Sequence, residues 1–312
     1  MTVVDPARPT LPGRTLAPGR RVWDGGVAPT RRARPRPSVA AADAVEVRAV
    51  GVGVRVSCPD PATRRLVRAH YECLLGDAVP ARIEYAIRTD GRRWQLRRAG
   101  RPAASALDAG ELLLQLDQDL LVQLQRVRAD LFFVHAAALA IDDRAIMLVA
   151  PSGGGKSTMA WALAHHGMHY LSDELAPLEL APLSVQPYPR ALTLKDAPPN
   201  PYPLPLDTIA TSRGFHVPPS RFADVARAPT PLAAIVFLHR GAGVARPAVC
   251  RLTAAQAGAR LYANALNALA HPNEGIDAAL NVVRRTPCFA LVTAELDATC
   301  AVLAVMFRAA PR

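Results

Sequence analysis

The sequence predicts an α/β fold, and three observations predict it. A short apolar run, Arg144-Ala145-Ile146-Met147-Leu148-Val149, leads into the glycine loop Ala150-Pro151-Ser152-Gly153-Gly154-Gly155-Lys156-Ser157-Thr158 and then into a helix-forming stretch. Strand-like and helix-like periodicities alternate along most of the chain. Half of the 312 residues are hydrophobic, enough for a sizeable core. No uninterrupted apolar run reaches the roughly 18 residues that a membrane helix needs, so no transmembrane helix is expected.

The elements follow in order. Residues 1–44 read as a disordered Arg/Pro-rich tail, with many Pro and Gly and few apolar residues. Residues 45–128 read as a small α/β module with a linking helix. Val45 to Val56 is rich in Val and suits a strand. Pro61 opens a helix to about Leu75, with Leu66, Val67, Tyr71 and Leu74 on one face. Ala81–Arg88 and Arg92–Arg98 are strands joined across Asp90-Gly91, a hairpin signal. Glu111 to Arg128 is a long amphipathic helix.

Residues 129–312 read as a nucleotide domain. Leu131–Ala140 and Ala145–Ala150 flank Asp142-Asp143 and suggest a hairpin feeding the glycine loop. Ser157 to His166 is a helix with apolar Met159, Ala160, Leu163 and Ala164, ended by Gly167. His169–Ser172 is a strand, and Leu178–Leu180 and Leu183–Gln186 surround a turn. Pro198 to Pro205 must be a loop. Leu232–His239 is a strand, Ala254–Leu269 and Ile276–Arg285 are helices, Cys288–Thr293 is a strand and Glu295–Phe307 a closing helix.

Composition narrows the function classes. Five scattered cysteines, without a Cys-x-x-Cys pair, suit reduced thiols in a cytoplasmic protein and speak against zinc. The net charge of +11 invites a nucleic-acid reading, but eight Arg against Asp5 and Asp24 in residues 1–42 supply much of it. No aromatic–basic interleaving of the RNA-binding type accompanies it, so neither nucleic acid nor a membrane is the expected partner.

Chemistry concentrates at the glycine loop. Lysine occurs only twice, at Lys156 and Lys195, among 37 lysine and arginine residues. A compact ammonium fits between phosphate oxygens where a planar guanidinium fits poorly. The loop reads as a phosphate-binding loop with Ala150 in place of the usual first Gly. Strand, glycine loop and helix aim the backbone N–H groups of Ser152, Gly153, Gly154, Gly155, Lys156, Ser157 and Thr158 at a phosphate. Lys156 would meet the β- and γ-phosphates of ATP, and the Ser157 hydroxyl would coordinate Mg²⁺.

Two further features converge on the loop. Ser172-Asp173-Glu174 follows the next strand, and two adjacent acids can divide the work of proton acceptance and Mg²⁺ binding. A solvated strand end is the alternative. His135, in Phe132-Phe133-Val134-His135-Ala136-Ala137-Ala138, is either a core histidine or a group that orients a nearby acid.

Taken together, His135-Ala136-Ala137, Pro151 to Thr158 and Tyr170-Leu171-Ser172-Asp173-Glu174 resemble the HPr kinase/phosphorylase catalytic domain, and more closely the HPr-kinase-related proteins. Pro189-Arg190-Ala191-Leu192-Thr193-Leu194-Lys195 also resembles a segment of that group. The resemblance covers about residues 45–310 and is most specific from Phe132 to Lys195. It implies a P-loop kinase domain of the HPr kinase/phosphoenolpyruvate carboxykinase type, preceded by the small α/β module.

The resemblance also implies roles. Asp173 would take the proton of the acceptor hydroxyl, His135 would support that acid, and Glu174 would assist Mg²⁺. Arg190 and Lys195 would contact phosphate or acceptor, with surface charge as the alternative. The chain lacks the Glu-Ile-Arg-Gly-Leu-Gly-Ile-like signature and the Pro-Gly-Arg-Asn-like loop of true HPr kinases, so phosphorylase activity and HPr as substrate are not expected. The expected function is ATP-dependent transfer to a Ser or Thr hydroxyl of a protein or peptide, with ribosomally made, modified peptides such as lasso precursors as one acceptor class. The alternatives are a small-molecule hydroxyl kinase and a nucleotide-dependent ATPase switch. A homo-oligomer is in keeping with the hexamers of the true HPr kinases. Arg240 is a weaker candidate for charge stabilisation. The cluster His165, His166 and His169 suits a helix end, and Asn264, Asn267 and Glu274 have no assigned role.

Overall fold

Valine-rich sequence opens the first sheet, and it turns back on itself where one strand was expected. The structure, a computed structural model, describes residues 43–308 apart from 77–78 and 242. The tail expected at 1–44 lies outside the described residues up to 42, and Ala44 already belongs to the first strand. Strands β1 (Ala44–Ala49) and β2 (Val52–Ser57) form an antiparallel hairpin, with φ of 50° at Val50 and 77° at Gly51. Two successive positive φ values suit a two-residue hairpin turn. The continuous Val45–Val56 strand is therefore corrected to a hairpin.

Helix α1 (Pro61–His70) starts where Asp60 accepts a hydrogen bond from the Thr63 N–H at 2.7 Å, with Pro at the first helical position. It stops short of the expected Leu75, and Glu72–Leu74 form a 3₁₀ turn instead. Strands β3 (Ala81–Thr89) and β4 (Trp94–Arg98) flank Asp90-Gly91 as expected, and β5 (Arg101–Ala106) adds a strand that was not expected. The five-stranded sheet runs β1-β2-β3-β4-β5, and β2 and β3 are parallel because α1 crosses between them. Helix α2 (Ala109–Val127) is capped by Asp108, which accepts from the Glu111 N–H at 2.9 Å. Its Leu112, Leu116, Leu120 and Leu124 pack into one core with Val54, Val67, Ile83 and Ile87, and Phe133, Leu175 and Tyr188 from later in the chain join that core.

The run expected as one strand, Leu131–Ala140, breaks at His135 into β6 (Phe132–Val134) and β7 (Ala136–Ile141). β8 (Arg144–Val149) pairs with β7 across Asp142-Asp143, both at positive φ, and leads to α3 (Lys156–His165). There follow β9 (His169–Ser172), β10 (Ala176–Glu179) and β11 (Ser184–Val185). A small sheet of order β12-β14-β13 comes from β12 (Leu192–Leu194), β13 (Ile209–Thr211) and β14 (Gly214–Val217). The chain closes with β15 (Thr230–Arg240), β16 (Ala248–Arg251), α4 (Ala254–Tyr262), α5 (Ile276–Arg285), β17 (Cys288–Thr293) and α6 (Leu296–Arg308).

The nine-stranded sheet runs β6-β10-β11-β15-β8-β7-β9, with β17 on β15 and β16 on β17. Alternation along its strands sends side chains to opposite faces. Ala137, Leu139, Ile146 and Leu148 meet α3 and α6, whereas Ala136, Ala138, Met147 and Val149 meet α4 and α5. Helix α3 is buried from Met159 to Ala164, which is why its sequence is apolar all round.

Helix α4 ends well before the expected Leu269, for a tertiary reason. Beyond it, the Leu266 N–H donates to Phe133 O, and Asn264 O accepts from the His135 N–H, both at 2.8 Å. The buried Asn267 accepts from the Phe133 N–H at 2.9 Å and donates to Leu131 O at 2.8 Å. This segment satisfies the outer edge of β6, whose backbone groups would otherwise be buried without partners. A continued helix would spend the same groups on itself.

A buried polar cluster ties α1 and α2 to the second sheet. His70 Nε2 lies 2.9 Å from Asp117 Oδ2, Tyr71 donates its hydroxyl to Asp117 Oδ1 at 2.6 Å, and Arg190 Nη1 is 3.4 Å from Asp117 Oδ2. The Ala191 N–H donates to His70 O at 2.8 Å. Burial alone would push the Asp117 carboxyl up. The Arg190 guanidinium, His70 and the Tyr71 hydroxyl outweigh it and hold the carboxyl well below the usual carboxylate range. A depressed carboxyl stabilises the fold above its unfolded pKa of about 3.9, and that stability is lost as the pH falls below it. Thermal unfolding should therefore show Asp117→Asn less stable than the parent at pH 7 by about 3–5 kcal/mol, with a shallower loss between about pH 4 and pH 2. Equal slopes for the two proteins in that window would contradict this account.

Candidate active site

Topology brings four strand ends to one edge. β7 is antiparallel to both β8 and β9, so β8 and β9 point the same way, and β15 and β17 are parallel to β8. The glycine loop follows the carboxyl end of β8, and Asp173-Glu174 follows that of β9. Ligands of open α/β sheets collect at such ends.

The loop is shaped for an anion. Gly155 precedes α3 at φ 87°, and no side chain caps the helix. That leaves first-turn N–H groups available at the positive end of the helix. Lys156 is 5% exposed, and its Nζ donates to Ala150 O at 2.8 Å and to Pro151 O at 3.3 Å. An ammonium has three donors, so one is left for an anion. Burial lowers the Lys156 pKa, while Glu174 and Asp173 act to raise it.

The two acids differ sharply. Asp173 is fully buried, accepts from the Ser157 hydroxyl at Oδ2 at 2.9 Å, and has no partner at Oδ1. Burial, and then the neighbouring Glu174 charge, push its carboxyl up to about 6. Glu174 is half-exposed and sits at φ 70°, a backbone conformation that glutamate rarely adopts. A hydrogen bond from His135, and the charges of Arg190 and Lys156, hold its carboxyl down at about 2 against the opposing effect of burial. The two environments push the neighbouring carboxyls in opposite directions.

A cavity of about 740 Å³ joins these parts. Of the residues singled out from the sequence, Ser152, Gly153, Gly154, Gly155, Lys156, Ser157, Thr158, Glu174, Arg190, Lys195 and Arg240 line it. Asp173 stands behind Ser157. His135 faces Glu174, its Nε2 3.4 Å from Oε2, and not Asp173, the acid it was expected to support. The break between β6 and β7 sets the direction of its side chain. Arg190 is 3% exposed, so the surface-charge alternative for it is corrected. The strand end that carries Asp173 is likewise buried rather than solvated. His166 Nε2 is 2.8 Å from the Tyr202 hydroxyl, in keeping with a helix-end role.

The helix expected at Glu111 to Arg128 forms as α2, but its place in the cavity wall was not expected. Leu114, Asp117, Gln118 and Leu121 also line the cavity, as do His216 and Arg213. Asp117 carried a readable signal: an acid set among the core-facing Leu113, Leu116 and Leu120 of an amphipathic helix. Ser157, Asp173 and Glu174 offer oxygen donors, the kind a hard cation such as Mg²⁺ takes, and the unpartnered Asp173 Oδ1 fits that chemistry. Among the described residues no group of three or more His, Cys, Asp or Glu is arranged to hold a metal. Mg²⁺ ordinarily relies on one or two carboxylates, with substrate phosphates completing its shell.

No family model matches the chain, and no curated protein matches it. Among solved structures it is similar to the structure of the Hpr(Ser) kinase/phosphatase from Coxiella burnetii, at 14% sequence identity and a TM-score of 0.32, over 56% of this chain and 95% of that one. No helix among the described residues is long and apolar enough to cross a membrane.

The left-handed backbone at Gly155 gives a direct check. Gly155→Ala should cost about 1–2 kcal/mol in denaturant unfolding. Its crystal structure should show the first turn of α3 displaced from its parental position. An unchanged loop and unchanged stability would show that this conformation is not required.

Proposed function

We propose that the protein is an ATP-dependent kinase of the HPr-kinase-like P-loop type that transfers the γ-phosphoryl group to a Ser or Thr hydroxyl of a protein or peptide. The observation that carries this reading is Asp173. It is a fully buried carboxylate that accepts from the Ser157 hydroxyl at the start of α3 at 2.9 Å, keeps Oδ1 without a protein partner, and is raised by burial and then by the neighbouring Glu174 charge. A general base works best with a pKa near the operating pH.

In this reading the backbone N–H groups of Ser152 to Thr158 and the Lys156 ammonium bind the phosphates of ATP. Ser157 and Glu174 would hold Mg²⁺, which supplies charge neutralisation at the phosphate oxygens when bound. Asp173 accepts the proton of the acceptor hydroxyl as that oxygen bonds to the γ-phosphorus. The bond from phosphorus to the β–γ bridging oxygen breaks, and ADP leaves with the electron pair. His135 acts through Glu174, holding it ionised and oriented. Arg190 presents a buried positive charge to the transferring group. Its Nε has no partner, and its other end is anchored on Asp117. Positioning and charge stabilisation carry most of the rate in phosphoryl transfer.

Intact-mass spectrometry of candidate peptides after incubation with the protein and Mg-ATP tests the reading. Asp173→Asn should lower transfer by about 10²–10⁴-fold while sparing nucleotide binding measured by calorimetry. Lys156→Ala should weaken both. ATP consumption by the parent protein with phosphate released only to water would replace the kinase with an ATPase switch. Normal transfer by Asp173→Asn would remove the base assignment.

A further inference from the structure

The cavity has two unlike flanks. β8 lies between β15 and β7, and β9 lies beyond β7. The ends of β15 and β17, with Arg240 and Thr293, therefore border the glycine loop on one side, while Glu174, Arg190 and α2 border it on the other. Both acids stand on the second side. An acceptor hydroxyl must enter where the base is, so the base and ribose of a bound nucleotide belong to the β15–β17 side.

The acceptor side has a wall from outside the sheet that carries the loop. Leu114, Gln118 and Leu121 share one face of α2 with Asp117, as spacings of three and four residues require. That wall is held in place at the start of α2. A Cβ on Gly110 would lie 2.5 Å from Thr211 Oγ1, so only glycine lets the β13–β14 turn pack this closely. Ser212 of that turn donates its hydroxyl to the capping Asp108 at 2.8 Å. The next residue, Arg213, lines the cavity.

Two exposed cations, Lys195 and Arg213, line this side. Lys195 has no ion pair among the described residues, and the nearest carboxylate oxygen to Arg213 is that of Glu111, at 3.9 Å. From Leu114 to Leu121 the helix rises about 10 Å. That is the reach of about three extended residues of a polypeptide.

We infer that the α2 side of the cavity is a peptide subsite, selecting a Ser or Thr flanked by an acidic residue that meets Arg213 and Lys195 and by an apolar side chain that lies on Leu114 and Leu121. The inference rests on the kinase reading and names its acceptor. The transfer is the one already written: the peptide oxygen bonds to the γ-phosphorus, its proton passes to Asp173, and ADP leaves with the electrons of the broken bond. The module of residues 45–128 then contributes to substrate choice through a single helix.

A degenerate peptide library with a central Ser or Thr, incubated with the full chain and Mg-ATP and read by mass spectrometry, tests this. Phosphorylated products should be enriched in Asp or Glu and in one apolar residue near the acceptor. Gln118→Glu and Arg213→Glu alter exposed side chains on two different elements. Each should lower kcat/KM for the acidic peptides about tenfold through KM and relax or reverse the acidic preference, with Mg-ATP affinity measured alongside. Transfer without acidic preference, or a preference untouched by both variants, would overturn the subsite and leave the kinase standing. Phosphorylation of small hydroxyl compounds but of no peptide would overturn the acceptor class. No transfer to any acceptor would overturn both readings.

Discussion

One buried carboxylate organises this molecule. Asp117 sits on α2, almost out of contact with water, and a charge there persists only if it is paired and hydrogen-bonded. It gathers His70 and Tyr71 at the end of α1 and Arg190 from the segment after β11. Arg190 is fixed from the other side as well, because Tyr188 bonds to the end of β9 through its N–H and Leu171 O, at 2.9 Å. The pairing therefore draws α2 down over the glycine loop and aims a guanidinium at the acids. It adds a buried charged contact to the hydrogen bonds from Ala191 to His70 and from Ser212 to Asp108 that also join these parts.

The same economy of charge divides the labour of the adjacent acids. Asp173 and Glu174 are neighbours in sequence, yet one is raised to about 6 and the other held near 2. The left-handed backbone at Glu174 turns its side chain out toward His135 and the cavity, while Asp173 stays buried against Ser157. Burial raises the first carboxyl, and donors and cations lower the second. Two identical environments could not move two adjacent carboxyls in opposite directions.

Much of this was legible locally. The glycine loop, the Gly167 helix end, and the turns at Asp90-Gly91 and Asp142-Asp143 all follow from residues that need few neighbours to declare their conformation. So did the closing helix and the strands that precede it. The expected strand at Leu131–Ala140 and the expected helix at Ala254–Leu269 departed from the pattern together, and for one reason. The segment after α4 leaves its helix to satisfy the edge of β6, and the chain bends at His135 to allow it. Neither stretch signals this alone, since each is apolar and regular on its own terms.

The sequence by itself determined the mixed α/β class, the loop with its lone lysine, and the pair of acids one strand later, because glycine, charge and short-range periodicity act within a few residues. Tertiary structure decided which acid is buried, which carboxylate His135 faces, and that Arg190 is interior rather than surface. It also decided that α2 forms a wall of the cavity. Those outcomes depend on desolvation and on partners brought from distant parts of the chain: Asp117 with Arg190, Gly110 with Thr211, Phe133 with Asn267. A sequence holds such pairs only as separate letters, and burial, which sets their energies, exists only once the sheets have packed.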